Sequence, residues 1–142
     1  MISYHGMPLR LGIMSLQMEL LLPGFTVNQT PEQILDQVQR VDHGELVRRL
    51  ASHGFDPIEL SGDLGMLLPH MYGAQAIQEL GELKEQLGIS YTAHLPLWSI
   101  EPSTMQTPVR KGSVKALVDF ILSTAPLEPE VYVLHATGSL AA

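Results

Sequence analysis

Short apolar runs alternate with helical patterns along the chain, and this alternation predicts the order of the secondary structure. Four runs have the length and composition of buried strands. Between them, apolar residues recur every three or four positions, as on one face of a helix. Strands that alternate with helices are typical of βαβ units with a parallel sheet. The four predicted strands span residues 9–15, 57–61, 89–95 and 131–135.

Capping signals predict where the first two helices begin. Thr30 and Gln33 have the spacing of a capping box, and the helix that they open is expected to end near residue 40. Asp42 is a second predicted N-cap, and Gly54 is expected to end the helix that follows. The segment 16–28 between the first strand and these helices contains Pro23 and Gly24 and is predicted to be a long loop.

Two further helices follow from apolar stripes that are closed by Gly88 and by Pro126. Gly62, Gly65 and Pro69 lie between the second strand and the third helix, and they predict a loop there. Another loop is predicted from Pro96 to Pro108. The fourth helix is expected to pack through Val114, Leu117, Val118, Ile121 and Leu122.

The bulk composition is that of one folded domain, residues 1–142, with 45% hydrophobic and 16% charged residues. Three crossovers between four parallel strands suit either a TIM barrel or a doubly wound sheet. The chain contains neither a GxGxxG sequence nor a P-loop, which lowers the expectation of a nucleotide-binding open sheet.

The charge and the apolar pattern restrict the partners. A net charge of −7 argues against nucleic acid as a partner, since non-specific binding to phosphates needs a basic surface. The basic pairs 48–49 and 110–111 are interpreted as solvated helix faces. No signal peptide and no membrane-length apolar run is recognised, so no membrane partner is expected and the predicted location is cytoplasmic.

The candidate chemistry lies where strands end. His94 and His135 follow the third and fourth strands, and the carboxyl ends of parallel strands line the active site of a barrel. Strand alternation points Glu59 and Ser61 to the same inner face when Ile58 packs against helices. With no cysteine in the chain, imidazole and carboxylate are the available ligands for Zn²⁺, Mn²⁺ or Mg²⁺.

Each of these residues also has a structural interpretation. A histidine at a strand end is often a hydrogen-bonded structural residue, and Glu59 could bind backbone amides or a neighbouring cation. Trp98 is expected to pack under its loop, with stacking on a sugar face as the alternative. The remaining histidines are predicted to be solvated: His5, His43, His53 and His70.

Four motifs in order resemble the xylose-isomerase-like and endonuclease-IV-like barrels. Residues 54–60 (GFDPIEL) resemble the second strand of that superfamily, and residues 94–96 (HLP) its third. Residues 110–114 (RKGSV) resemble the helix start that follows, and residues 133–135 (VLH) the end of its fourth strand. The resemblance extends from residue 11 to residue 138 and implies a TIM barrel.

Two activities are implied by the resemblance. In the sugar isomerases and epimerases, a divalent metal chelates substrate oxygens and carboxylates transfer a proton. Glu59 and His94 would then be catalytic, and Trp98 and His135 would bind a sugar or sugar phosphate. In the endonuclease-IV-like phosphodiesterases, histidines that match His94 and His135 are metal ligands.

A full barrel of this kind has eight strands and about 250 residues, whereas four strands are predicted here. The chain is therefore interpreted as the N-terminal half of such a barrel, with most metal ligands expected beyond its end. The isolated chain is expected to be inactive, or to be a non-catalytic assembly module. Exposed strand edges predict a homodimer in which two copies close the sheet.

Overall fold

A computed structural model describes residues 3–4, 7–17, 28–98 and 100–135 of the chain. Its main sheet has four parallel strands in the order β3-β4-β5-β6, and a two-stranded antiparallel sheet, β1-β2, lies near the N-terminus. Sheet and helices together form parallel β/α units of a TIM barrel. The strands are β1 Ser3–Tyr4, β2 Met7–Pro8, β3 Ile13–Met14, β4 Ile58–Ser61, β5 Tyr91–His94 and β6 Tyr132–Val133.

Helices connect the parallel strands. Each of the four predicted strands contains an observed one, at a shorter length than predicted. The helices are α1 Pro31–Gln39, α2 His43–Ser52, α3 Gly62–Leu67, α4 Ala74–Leu87 and α5 Thr107–Thr124, with 3₁₀ turns at Pro69–Tyr72 and Ala125–Leu127.

The predicted helix starts are confirmed by their hydrogen bonds. The Gln33 amide donates to the Thr30 hydroxyl at 3.3 Å, and the Thr30 amide donates to the Gln33 side chain at 2.9 Å. Asp42 accepts from the Glu45 amide at 2.9 Å. Gly88, with φ of 62°, ends α4 in the left-handed conformation that favours glycine. Local sequence therefore determines these boundaries.

The core lies between the sheet and its helices. Ile58, Leu60, Tyr91 and Ala93 are completely buried, and burying a large apolar side chain contributes about 1.5–3 kcal/mol. The Tyr91 hydroxyl donates to the Leu80 carbonyl oxygen of α4 at 2.9 Å, so its polar atom is satisfied in the core. The alternation predicted for β4 and β5 is thus confirmed on the side that faces the helices.

The segment after β4 is helical, and the loop predicted over residues 62–69 is wrong. The Ser61 hydroxyl accepts from the Leu64 amide at 3.4 Å and begins α3. Only a glycine fits at position 62, because an added Cβ would lie 2.4 Å from Pro96 Cδ. Glycines that suggest a turn in the sequence therefore allow neighbouring segments to approach closely.

The buried face predicted for α5 is wrong in part. Val114, Val118 and Leu122 are 45%, 46% and 66% exposed. Two hydroxyls can take their place in the core because both are hydrogen-bonded: Ser113 accepts from the Glu101 amide, and Thr124 donates to a backbone carbonyl within α5. The residues that α5 buries are Ser113, Leu117, Phe120 and Thr124.

Arg10 joins the amino ends of the four parallel strands. Its guanidinium donates to Asp56 before β4 and to Glu130 before β6, both at 2.9 Å, and to Ser90 before β5. The hydrogen bond from Arg10 lowers the pKa of Asp56, and the Ser90 hydroxyl and Arg10 lower the pKa of Glu130. This cluster lies at the end of the sheet opposite to the two histidines.

The loop predicted over residues 16–28 lies outside the described residues except at its two ends. His5, which was predicted to be solvated, also lies outside them. Among the helices of the described residues, none is long and apolar enough to cross a membrane.

Candidate functional site

His94 and His135 lie together at the carboxyl end of the sheet. His94 is the last residue of β5, and His135 follows β6 by two residues. Since His94 is paired in register with Val133, residue 135 lies on the same face. The two Nε2 atoms are 3.0 Å apart and the ring centroids 4.8 Å apart. The structure therefore brings the two predicted imidazoles to one rim.

The hydrogen bonds of His94 determine which nitrogen carries its proton. Its Nδ1 lies 3.0 Å from the Leu95 carbonyl oxygen, which can only accept, so Nδ1 is protonated in the neutral ring. The Nε2 lone pair of His94 then accepts from Nε2–H of His135. A carbonyl that fixes the tautomer of a histidine is also the usual outer support of a metal-binding imidazole.

Glu59 lies on the same inner face, one layer below the histidines. It pairs in register with Thr92, whereas His94 pairs with Ser61, two residues further along β4. Two residues of a strand span roughly 7 Å, so Glu59 is near the histidine pair without touching it. A depression of about 290 Å³ opens beside it, lined by Gly12, Ile13, Met14, Pro57, Glu59 and Thr92.

Trp98 lies on the loop that leaves the carboxyl end of β5, and the residue is 70% exposed. The expectation that this ring packs under its loop is wrong. The loop is held instead through its backbone, by a residue that the sequence did not single out. Asp63 of α3 accepts from the amide of Trp98 at 3.0 Å and from the amide of Leu97 at 3.1 and 3.2 Å.

The RKGSV motif attaches the far end of the same loop. Arg110 donates to the Thr104 carbonyl at 2.9 Å, and Ser113 accepts from the Glu101 amide at 2.9 Å. Arg110 is half-buried, so the interpretation of this basic pair as a purely solvated face is wrong for one of its members. Motif residues that resemble a family signature therefore have a structural role in this chain.

His43 is the histidine whose environment differs most from the prediction. It is 4% exposed, its Nδ1 lies 3.0 Å from the Met71 carbonyl oxygen, and its ring meets the ring of Tyr72 edge-on. Burial lowers the pKa of His43, so the ring is neutral at physiological pH. His53 and His70 are exposed, as predicted.

The histidine pair fits two positions of a metal site. Nitrogen ligands of one Zn²⁺ lie about 2.0–2.1 Å from the metal. The two Nε2 atoms, 3.0 Å apart, would need little movement to share a metal once the proton of His135 has moved to its Nδ1. Within the described residues, no group of three or more histidine, aspartate or glutamate side chains is placed to hold a metal ion. Further ligands of such a site would have to come from outside those residues.

Comparisons with known proteins agree with the fold. No family model matches the chain. An uncharacterized protein of Methanocaldococcus jannaschii is 28% identical over 89 residues, which are 63% of this chain and 29% of that protein. Among solved structures, a D-tagatose 3-epimerase-like protein aligns with a TM-score of 0.57 and 24% identity, over 89% of this chain and 38% of the other. The chain thus shares its fold with this solved structure and spans less than half the length of either of these two proteins.

Proposed function

We propose that this chain is part of a metal-dependent isomerase or epimerase that moves a proton on a small sugar or sugar phosphate. The observation that carries the proposal is the pair of imidazoles at the carboxyl rim, with a carboxylate one layer below on the same face. Active sites of TIM barrels are built at this end of the strands. A solved structure with this fold is described as D-tagatose 3-epimerase-like, which is in keeping with a ketose as substrate.

Each candidate residue has a role in this proposal. His94 and His135 ligate a divalent metal or bind substrate oxygens, through nitrogens that lie at the rim. Glu59 is the carboxylate of this chain that can accept or return a proton, because it is half-buried on the inner face and no basic side chain pairs with it in register. Trp98 provides an exposed aromatic surface beside the rim.

A divalent metal, Zn²⁺, Mn²⁺ or Mg²⁺, would supply Lewis acidity toward substrate oxygens. This chain provides at most two of its nitrogen ligands among the described residues. The activity of the complete protein, its substrates and its remaining ligands are therefore proposals about a longer molecule. Location in the cytoplasm is proposed with them.

A second candidate is a metal-dependent phosphodiesterase. The 3.0 Å between the two Nε2 atoms favours it, because both imidazoles are placed to ligate metal, as in the endonuclease-IV-like branch that the motifs resemble. With a net charge of −7, a small phosphodiester is a better substrate than nucleic acid.

The experiment uses proton exchange, which is the partial reaction of an epimerase. The complete protein that contains this chain is incubated with Mn²⁺ or Zn²⁺ and ketoses such as D-fructose or D-tagatose in D₂O, and deuterium at the carbon next to the carbonyl is followed by NMR. Exchange that is lost in His94→Ala and in Glu59→Gln supports the isomerase. Hydrolysis of bis(p-nitrophenyl) phosphate without deuterium exchange would support the phosphodiesterase instead. Absence of metal binding by the complete protein in isothermal titration would exclude both.

A further inference from the structure

The loop between β5 and α5 is anchored through the backbone of its described residues and carries an exposed aromatic side chain. Asp63 binds the amides of Leu97 and Trp98 at its start, and Ser113 and Arg110 bind its far end. Pro96 lies against Gly62, where even one added Cβ would come within 2.4–2.5 Å of it. Trp98 nevertheless remains 70% exposed. The chain therefore presents a large aromatic surface from a rigid support.

Asp63 is not needed to begin the helix that contains it. The hydroxyl of Ser61 is the N-cap of α3. Asp63 is 4% exposed, and a buried carboxylate is costly unless hydrogen bonds satisfy its oxygens. The bonds that satisfy it come from the two loop amides, at 3.0–3.2 Å. The burial of this charge is thus coupled to the position of the loop.

We propose that Asp63 is a positioning residue that holds Trp98 as a stacking platform for the apolar face of a sugar ring. The choice of a sugar as ligand rests on the function proposed above. The part of the proposal in which Asp63 positions Trp98 does not depend on that function. The loop leaves the sheet directly after His94, so the platform lies at the same end of the sheet as the histidine pair. A ring on a preorganised backbone loses little further freedom when a ligand stacks on it.

Trp98 is the one tryptophan of the chain, so its fluorescence reports on this loop alone. The first test removes the clamp with Asp63→Ala and measures steady-state anisotropy of the indole without any ligand. We expect the anisotropy to fall, because the freed loop gains motion on the nanosecond scale. The matched control is Asp42→Ala, which removes another carboxylate that accepts from a backbone amide, at the start of α2.

The second test titrates the protein with D-fructose and D-fructose 6-phosphate and follows the Trp98 emission, with glycerol as a polyol that has no ring face. We expect a saturable change with the sugars and none with glycerol. In Asp63→Ala the change should need a higher sugar concentration, whereas Asp42→Ala should behave as the unmodified protein.

Two further variants keep the test valid if Asp63→Ala does not fold. Asp63→Asn keeps the shape of the side chain and one acceptor oxygen, so we expect a smaller fall in anisotropy. Gly62→Ala leaves Asp63 in place but pushes against Pro96, and we expect Trp98 anisotropy to fall as well. Circular dichroism shows whether each variant is folded.

The outcomes separate this inference from the proposed function. Unchanged anisotropy in folded Asp63→Ala and Asp63→Asn would overturn the positioning role. A fall in anisotropy without any sugar response in the unmodified protein would overturn the platform, whatever the deuterium exchange shows. A sugar response that weakens in Asp63→Ala supports the platform, even if exchange is absent and the isomerase is abandoned.

Discussion

At the scale of single residues, position in a strand predicts more than residue type. His94 and His135 could be placed on one rim because side chains alternate in a parallel sheet. Asp63 and His43 could not be placed in this way, because their partners are distant in sequence. Asp63 binds amides 34 and 35 residues away, and His43 binds a carbonyl 28 residues away. No local pattern contains that information.

The buried His43 predicts a dependence of stability on pH. Its pKa is lowered by burial below the ordinary value of 6.5, so the unfolded chain takes up a proton at a higher pH than the folded one. Stability should therefore fall as the pH decreases below about 6.5. Urea denaturation at pH 8 and at pH 5.5 measures this effect.

The matched variants are His43→Asn, which keeps a donor near Nδ1, and His53→Asn at the exposed end of α2. We expect His43→Asn to be less stable than the unmodified protein at pH 8 and to lose less stability on acidification. An equal loss in all three proteins would show that His43 does not cause the dependence.

At the scale of elements, caps and terminators were predictable because they act within a few residues. The capping box of Thr30 and Gln33 and the left-handed Gly88 are examples. Helix α3 and the buried face of α5 were not, because contacts with other segments decide them. Position 62 in α3 needs a glycine because Pro96 packs against it. Ser113 in α5 can be buried because its hydroxyl accepts from the Glu101 amide.

Two glycines of helices should respond in opposite ways to alanine. Gly62→Ala forces a methyl group against Pro96, and overpacking of this kind costs about 1–3 kcal/mol. Gly112 lies inside α5 with no atom within 4 Å of an added Cβ, so Gly112→Ala should stabilise by about 0.5–1 kcal/mol. Urea midpoints measure both changes, and a stabilised Gly62→Ala would contradict the close approach.

At the scale of the whole molecule, the two ends of the sheet differ in chemistry. The carboxyl end bears the histidines and Trp98, and the amino end bears the Arg10 cluster. The cluster lowers the pKa of Asp56 and Glu130 below their ordinary values of 3.8 and 4.5. The stability that it contributes is complete above these values and is lost as the pH falls through the lower, folded pKa values.

Arg10→Gln tests this contribution. We expect the variant to be less stable at pH 7 and to lose less stability than the unmodified protein when the pH is lowered below about 4.5. The control is Arg40→Gln, which removes the exposed ion pair between Asp36 in α1 and Arg40 directly after this helix. Its expected cost in the free energy of unfolding is about 0.3–0.5 kcal/mol. Equal acid sensitivity of the two variants would argue against the cluster.

The predicted homodimer stays a prediction, and the open edge of the sheet indicates where to test it. Within the described residues, β6 pairs only with β5, and Val131 and Leu134 beside it are exposed. The stripe of Val114, Val118 and Leu122 on α5 adds exposed apolar surface. We expect the 142-residue chain to self-associate in sedimentation velocity experiments at micromolar concentration.

Leu122→Glu should weaken that association. Leu67→Glu is the matched control, because Leu67 is 65% exposed and lies on α3. A chain that is monomeric at all concentrations, or an association that only Leu67→Glu disrupts, would contradict the predicted edge contact.

The Arg10 cluster also has a consequence for synthesis on the ribosome. Arg10 is translated before all of its partners, which follow 46, 80 and 120 residues later. In a nascent chain the guanidinium can therefore meet Asp56 and Ser90 first, and Glu130 only after that residue has left the exit tunnel. Since Glu130 directly precedes β6, the cluster is completed only when the segment that leads into the fourth parallel strand has been translated.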